Sequence, residues 1–436
     1  HHCKVIVSTH PAAVFHKPEM RTELYRSIGF LSQVLQSGTE SVRVDQNFDP
    51  DAHGRNYYLV DTPEKLLQLR DLILSSRSRE FSIDTEFHGL WPGEPPNATA
   101  VDPADRLGSY VRSVQISWDF KQAAAIEVTK PFGVPGAIPI ELVRQVLTEI
   151  LKGQDKRLIF HYAAADLPWL CLPLEKGGLG LEFMLEQFEA PPDDPPPADG
   201  NWDNWRPGWQ KTRDQGGFDT ILSTHAIEET QDQGLKEIGL SLTTRGRYDR
   251  ELHKFLDSYV TDHNNRVKEL AKQRRSQRKG TLSDRISKKD LNGFGMVPFE
   301  ILGPYGCGDV DVGWRVYHAH NYTAGTHNGQ PRPAMLDADR FGNNCREAFW
   351  ISMRASPGFL EMRMNGVQID KDLAGRMREV FEKSRDAKLQ ELRAAVSWPS
   401  FNPNSCYDCR ALLFGAGLVG KYDSSGQATY ALPVNY

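Results

Sequence analysis

Residues 80–86 read Glu80-Phe81-Ser82-Ile83-Asp84-Thr85-Glu86. Apolar Phe81 and Ile83 alternate with polar residues, which is the pattern of a half-buried strand. Side chains alternate across a strand with a period of two, so Asp84 and Glu86 project from the same face. Two hard oxygen ligands therefore stand at one spot. An acid pair at a strand end is common without function, so its meaning depends on what else the chain brings to that place.

Working outward, Thr62 as N-cap and Pro63 at the first helical position open a helix carrying Leu66, Leu67, Leu69, Leu72 and Leu74. Strand-type runs follow at residues 111–118 and 123–128. A helix is expected at 140–152, with Leu142, Val146 and Ile150 one turn apart and Gly153 as its stop. Residues 157–162 read as a further strand that runs into a helix at Asp166. Three strands, then helix, strand and helix, predict an α/β fold built on a mixed sheet flanked by helices. Much later, Tyr305 and Asp309 sit four residues apart in Tyr305-Gly306-Cys307-Gly308-Asp309. On a helix that spacing puts a phenol and a carboxylate on one face.

Taken together, Asp84, Glu86, Asp166, Tyr305 and Asp309 resemble the DEDDy group of 3′→5′ exonucleases. The motifs of that group are D-x-E, an Asp after a strand, and Y-x-x-x-D. Phe218-Asp219-Thr220, Gly234-Leu235-Lys236 and Asp309-Val310-Asp311-Val312 are supporting matches, and the resemblance spans roughly residues 79–320. It implies an RNase H-like fold, a catalytic set of Asp84, Glu86, Asp166, Tyr305 and Asp309, and two Mg²⁺ (or Mn²⁺) ions held by the four acids. The physical basis is that Mg²⁺ prefers oxygen ligands, and two such ions clamp a phosphodiester during in-line displacement. The tyrosine would orient the attacking water. One departure concerns the second motif: Tyr162 stands where the group carries Asn, and Ala165 replaces an aromatic residue. His161 is a candidate for the missing polar contact to DNA.

Downstream, residues 359–370 and the run Phe401-Asn402-Pro403-Asn404-Ser405, with Leu412-Leu413-Phe414 beyond, resemble signatures at the start of the polymerase domain of family A (DNA polymerase I class) enzymes. That resemblance implies three regions: a segment at 1–60 with a possible helix at 21–35, an exonuclease domain at 61–322, and the mainly helical beginning of a polymerase domain at 323–436. The palm carboxylates of the family would lie beyond Tyr436, so this chain is not expected to polymerise DNA unaided. The remaining polymerase domain, or a separate polymerase chain, is an expected partner. The substrate implied is DNA with a single-stranded or frayed 3′ end, and phage-like insertions point to a bacteriophage source. Two alternatives stay open: an RNase D-like RNA exonuclease sharing the same five residues, and a non-catalytic module of a split polymerase.

A net charge of −5 excludes a uniformly basic nucleic-acid coat. Ten Lys or Arg residues between Arg266 and Lys289 stand against only Glu269 and Asp284, and Arg274, Arg275, Arg278 and Lys279 are candidate DNA contacts. Six cysteines in 436 residues suggest reduced thiols, with Cys406 and Cys409 simply neighbours on one helical turn. The Pro-, Asp- and Trp-rich stretch 189–209 reads as a surface insertion. No window approaches the roughly 20 apolar residues of a membrane span, and a cytoplasmic setting, that of the host for a phage protein, is expected.

Overall fold

The computed structural model describes residues 54–414 apart from 98–99, 101–103, 154, 189–215, 231, 244, 246, 276–284, 323–325, 328–329, 332–333, 338–344 and 367–368. The helix expected at 21–35 and the insertion at 189–209 lie outside the described residues, as do Arg278 and Lys279. Strand β1 (Asn56–Val60) leads into α1 (Pro63–Ser76), whose cap forms as expected, with the Thr62 hydroxyl accepting from the Lys65 N–H. Strands β2 (Glu80–His88), β3 (Tyr110–Asp119) and β4 (Gln122–Glu127) form an antiparallel meander. Helix α2 (Ile140–Leu151), strand β5 (Arg157–Phe160), helices α3 (Ala163–Cys171) and α4 (Phe183–Phe188), and strand β6 (Gly216–Asp219) follow. The strand order is β1-β4-β3-β2-β5-β6. The pairs β1–β4, β2–β5 and β5–β6 are parallel, so the sheet is mixed, as the order of elements predicts.

Strand alternation sorts the two faces of this sheet. Ala124, Ile126, Phe81 and Ile83 pack with Leu66 and Leu69 of α1 and with Val143, Val146 and Ile150 of α2. Ala123 and Ala125 face the other way, against Phe299, Cys307 and Val310. Those three belong to a long helix that follows α5 (Thr220–Ile227), α6 (Leu235–Leu242) and α7 (Arg250–Arg275), namely α8 (Phe299–Asn321). Helix α8 crosses the sheet on a stripe of glycines. A Cβ on Gly303 would come 2.6 Å from Leu59, one on Gly306 2.5 Å from Gln115, and one on Gly313 2.7 Å from Ser82. Gly308 faces α7's leading segment, where a Cβ would meet Tyr248 at 2.4 Å.

Two boundaries differ from the sequence expectation. β5 stops at Phe160 instead of Tyr162, because Tyr162 takes a left-handed backbone (φ 73°, ψ 62°) and caps α3. Helix α9 (Cys345–Asn365), beyond the expected limit at 322, joins the first compact unit, with Phe349 against Phe218 at a ring separation of 4.7 Å. A second unit begins at Gly366 and is helical, with α10 (Lys371–Ala395) capped by Asp370 and α11 (Cys406–Phe414). Its small core is Trp398, Phe401 and Ala411. There Asp408 accepts from the Asn402 N–H and from the Ser405 hydroxyl, tying the Phe401–Ser405 turn to α11. No described helix is long and apolar enough to cross a membrane.

The glycine stripe makes a sign prediction. In an open helix Gly→Ala stabilises by up to about 1 kcal/mol. Gly375 in α10 has nothing within 4 Å of an added Cβ and should follow that rule. Gly306→Ala should instead destabilise by about 1–3 kcal/mol through overpacking against Gln115. Urea unfolding of the two variants beside the parent tests both signs, and equal effects would contradict the close approach of α8.

Candidate active site

Because Ser82, Asp84 and Glu86 share the face that α8 covers, the acids of β2 look towards that helix. Asp309 is presented from α8, and carboxylate oxygens of Asp84, Glu86 and Asp309 all lie within 4.8 Å of one another. Glu86 and Asp309 are buried and Asp84 is half-buried. Burial first, and then the neighbouring acids, push the Asp84 and Glu86 carboxyls well above the usual range. Like charges this close in a poorly solvated site cannot all ionise without a compensating cation.

Asp166 enters from the first turn of α3. Its Oδ1 accepts from the Thr85 N–H at 3.0 Å and from the Thr85 hydroxyl at 2.6 Å, so the residue between Asp84 and Glu86 anchors the fourth acid. Burial pushes the Asp166 carboxyl up to about 7, with Asp219 and Asp309 adding to the rise and the Thr85 bonds opposing it. The second motif sits in a turn held by another acid. Asp219, at the end of β6, accepts from the N–H groups of Tyr162 and Ala163 at 3.0 and 2.8 Å and from its own helix at Ile221. One carboxylate thus caps α3 and α5 together and holds Tyr162 in its left-handed turn.

The sequence singled out Tyr305 and Asp309 as a same-face pair, and the structure joins them through Lys236. Its ammonium donates to the Tyr305 oxygen at 2.6 Å and reaches both Asp309 oxygens, at 3.0 and 3.1 Å. Tyr248 donates to Asp309 Oδ1 at 2.5 Å. Burial works against the Lys236 charge, but Asp309, Glu86 and Asp84 outweigh it and raise its pKa. Lys236 carried a signal in the Gly234-Leu235-Lys236 match, whereas Tyr248 carried none. Burial, with the acids around it, lifts the Tyr305 phenol well above its usual value, so it acts as a neutral hydroxyl.

His161 lies near this cluster, its Nδ1 2.8 Å from the Thr220 hydroxyl. Burial lowers its pKa to about 4, so at neutral pH it offers a hydrogen bond and no charge. Arg274 and Arg275 fall in the last turn of α7, and their side chains, like all of Arg278 and Lys279, lie outside the described residues.

No family model matches the sequence. It is 24% identical over 426 residues, 97% of this chain, to the DNA polymerase of Escherichia phage T5, and it spans 39% of that polymerase's length. Among solved structures, the catalytic core of RRP6 from Trypanosoma brucei is 14% identical with a TM-score of 0.32, over 70% of this chain and 52% of that one. Trypanosoma brucei RNase D is 13% identical with a TM-score of 0.31, over 68% of this chain and 81% of that one. Likenesses at these TM-scores carry no weight for function.

The donor set itself limits the chemistry. Oxygen-only ligands, crowded together so that a cation would relieve their mutual repulsion, fit a hard divalent cation of the Mg²⁺ or Mn²⁺ kind and not a thiophilic one.

A pH prediction follows from Asp166. Its folded pKa lies above the unfolded value near 3.8, so the folded state binds the extra proton and stability falls as pH rises from about 4 to about 7. Asp166→Asn keeps an oxygen that can accept both Thr85 bonds and cannot ionise. With divalent ions chelated, the variant should lie near the parent at pH 4 and exceed it at pH 8 by on the order of 1–3 kcal/mol. Denaturant unfolding at the two pH values measures this, and parallel curves would show that Asp166 is not a raised acid.

Proposed function

We propose that this chain is the 3′→5′ proofreading exonuclease region of a family A-type DNA polymerase, hydrolysing the 3′-terminal phosphodiester of single-stranded or frayed DNA. The observation that carries this reading is the convergence of Asp84, Glu86 and Asp309 with Tyr305 beside them and Asp166 tied in through Thr85. Asp84, Glu86, Asp166 and Asp309 would hold two Mg²⁺ or Mn²⁺ ions. Such ions, when bound, neutralise the phosphodiester and make water acidic enough to attack at neutral pH.

The remaining steps belong to the protein's own groups. Tyr305, protonated and fixed by Lys236, directs its hydroxyl at the attacking water and orients it without taking its proton. Lys236, held beside Tyr305 and Asp309, would offer its positive charge to the phosphate as charge builds there. Tyr248 and Lys236 together keep Asp309 from rotating away. Thr85 does the same for Asp166, so the acid cluster is rigid before substrate arrives. The basic run at 266–289, including Arg274, Arg275, Arg278 and Lys279, would meet the strand on its approach.

DNA, in preference to RNA, is supported by the similarity to a phage DNA polymerase along nearly the whole chain, including the second unit. The 359–370 and 401–414 signatures add to it. Polymerisation itself is assigned to a domain or chain beyond these residues.

Incubating the protein with labelled single-stranded DNA and RNA of equal sequence, with Mg²⁺ or with chelator, tests the reading. Mg²⁺-dependent release of mononucleotides from the DNA 3′ end is expected, and Asp84→Ala with Glu86→Ala should abolish it while circular dichroism stays unchanged. Trimming of RNA alone would replace DNA as the substrate. No hydrolysis of either would sink the enzymatic reading. Tyr305→Phe should slow single-turnover hydrolysis by about tenfold or more, the scale of a lost positioning hydrogen bond. Its Mn²⁺ affinity, read by calorimetry, should stay at the parent value.

A further inference from the structure

A cleft of about 340 Å³ opens between α7 and the turn around Phe132. One wall is Phe132. The other is a single face of α7, with Phe255, Tyr259, Asp262, His263 and Arg266 spaced at helical intervals. The neighbouring stripe of α7, Leu252 and Leu256, is buried with Val297, Leu302 and Tyr305, and Phe255 and Tyr259 pack against that same cluster. The cleft therefore shares a wall with the group that positions Tyr305. On that wall, the Phe255 and Tyr259 rings are stacked at 6.3 Å with 21° between planes.

Phe132 is the unusual member. It sits in the left-handed region (φ 59°, ψ 36°) with its side chain 40% exposed. A bulky residue is strained in such a backbone and keeps it only where the surroundings impose it. Here the Lys130 N–H donates to the Val134 carbonyl at 2.7 Å, and the Phe132 N–H donates to the Gly295 carbonyl at 2.8 Å. The turn would be better served by Gly, and a ring this exposed adds little to the core. A large aromatic at this position is explained by something it meets outside the fold.

We propose that this cleft is a second binding site for single-stranded nucleic acid, in which a base stacks between Phe132 and the Phe255–Tyr259 wall. Arg266, exposed and first in the basic run, meets the adjoining phosphate. Asp262 repels phosphate at its own end of the cleft and fixes which way the strand lies, while accepting from an exocyclic amino group. The volume stands at the low end of the range for small-ligand sites, about 300–1,000 Å³. That admits one or two bases and excludes a duplex. Aromatic stacking beside a cationic track is the usual means of holding single strands without reading their sequence.

The inference rests on the exonuclease reading, since the strand held here is the one whose 3′ end reaches Asp84, and the test separates the two. The full chain is titrated, in chelator, with oligothymidylates carrying one 2-aminopurine at successive distances from the 3′ end. Phe132→Gly, which removes the ring and relieves its backbone, is compared with the parent. The parent should quench fluorescence at an internal position away from the 3′ end. In Phe132→Gly that quenching should vanish and the Kd should rise about tenfold, within the 5- to 150-fold range of one lost stack. Oligomers too short to reach the cleft should bind both proteins equally. Arg266→Ser should lower the salt slope of binding by about 0.7, one phosphate's worth. Internal quenching identical in parent and Phe132→Gly, with the parent still hydrolysing DNA in Mg²⁺, overturns the cleft and leaves the exonuclease standing. Internal quenching lost in the variant, with no hydrolysis by the parent, overturns the exonuclease reading and keeps the cleft.

Discussion

The close contact of α8 with the sheet is the constraint on which the site depends. Helix backbones ordinarily stand off a sheet by the length of intervening side chains. Here Gly303, Gly306 and Gly313 remove those side chains, and the backbone settles onto Leu59, Gln115 and Ser82. That approach carries Asp309 down to the acids of β2. The same helix turn delivers Tyr305, so a packing choice made by glycines decides where the acids and the phenol meet. Glycine weakens a helix by about 1 kcal/mol per position. Burial of Cys307, Val310, Val312 and Val316 along α8 offsets that cost.

Bringing four acids together in a buried place is costly, and the structure spreads that cost over several partners. Lys236 supplies a positive charge against Asp309, and Tyr248 and Thr85 supply hydrogen bonds to Asp309 and Asp166. Two further acids have separate occupations. Asp311 is fully buried and paired with Arg315 and Tyr57, tying α8 to β1. Asp219 takes three backbone N–H groups. Acids held this way are structural, which leaves the Asp84, Glu86 and Asp309 group distinct in being gathered against one another.

What was legible in the sequence was local. The Thr62 cap, the same-face placement of Asp84 and Glu86, and the four-residue step from Tyr305 to Asp309 each depend on a period of two or on one helical turn. They hold in three dimensions for that reason. What was not legible depends on distant residues. Strand β1 has only five residues and becomes a strand by pairing with β4, some distance along the chain. The left-handed turn at Tyr162 is imposed by Asp219, 57 residues later. Lys236 and Tyr248 matter only because the fold sets them beside Asp309, 73 and 61 residues on. Helix α9 looked like the opening of another region because its own sequence does not disclose that Phe349 will meet Phe218.

The double cap at Asp219 bears on how such a protein can change. The stretch 189–215 enters the chain just before β6. The ladder to β5 and the Asp219 carboxylate then fix where that strand ends and where α3 begins. Sequence added at this point lengthens only the chain between α4 and β6, and each doubling of a flexible connection costs only about 0.6 kcal/mol. The position of Asp166 would be indifferent to it. The chain therefore contains a port for growth beside the elements that carry its acid cluster, where new surface can be gained or lost without moving those acids.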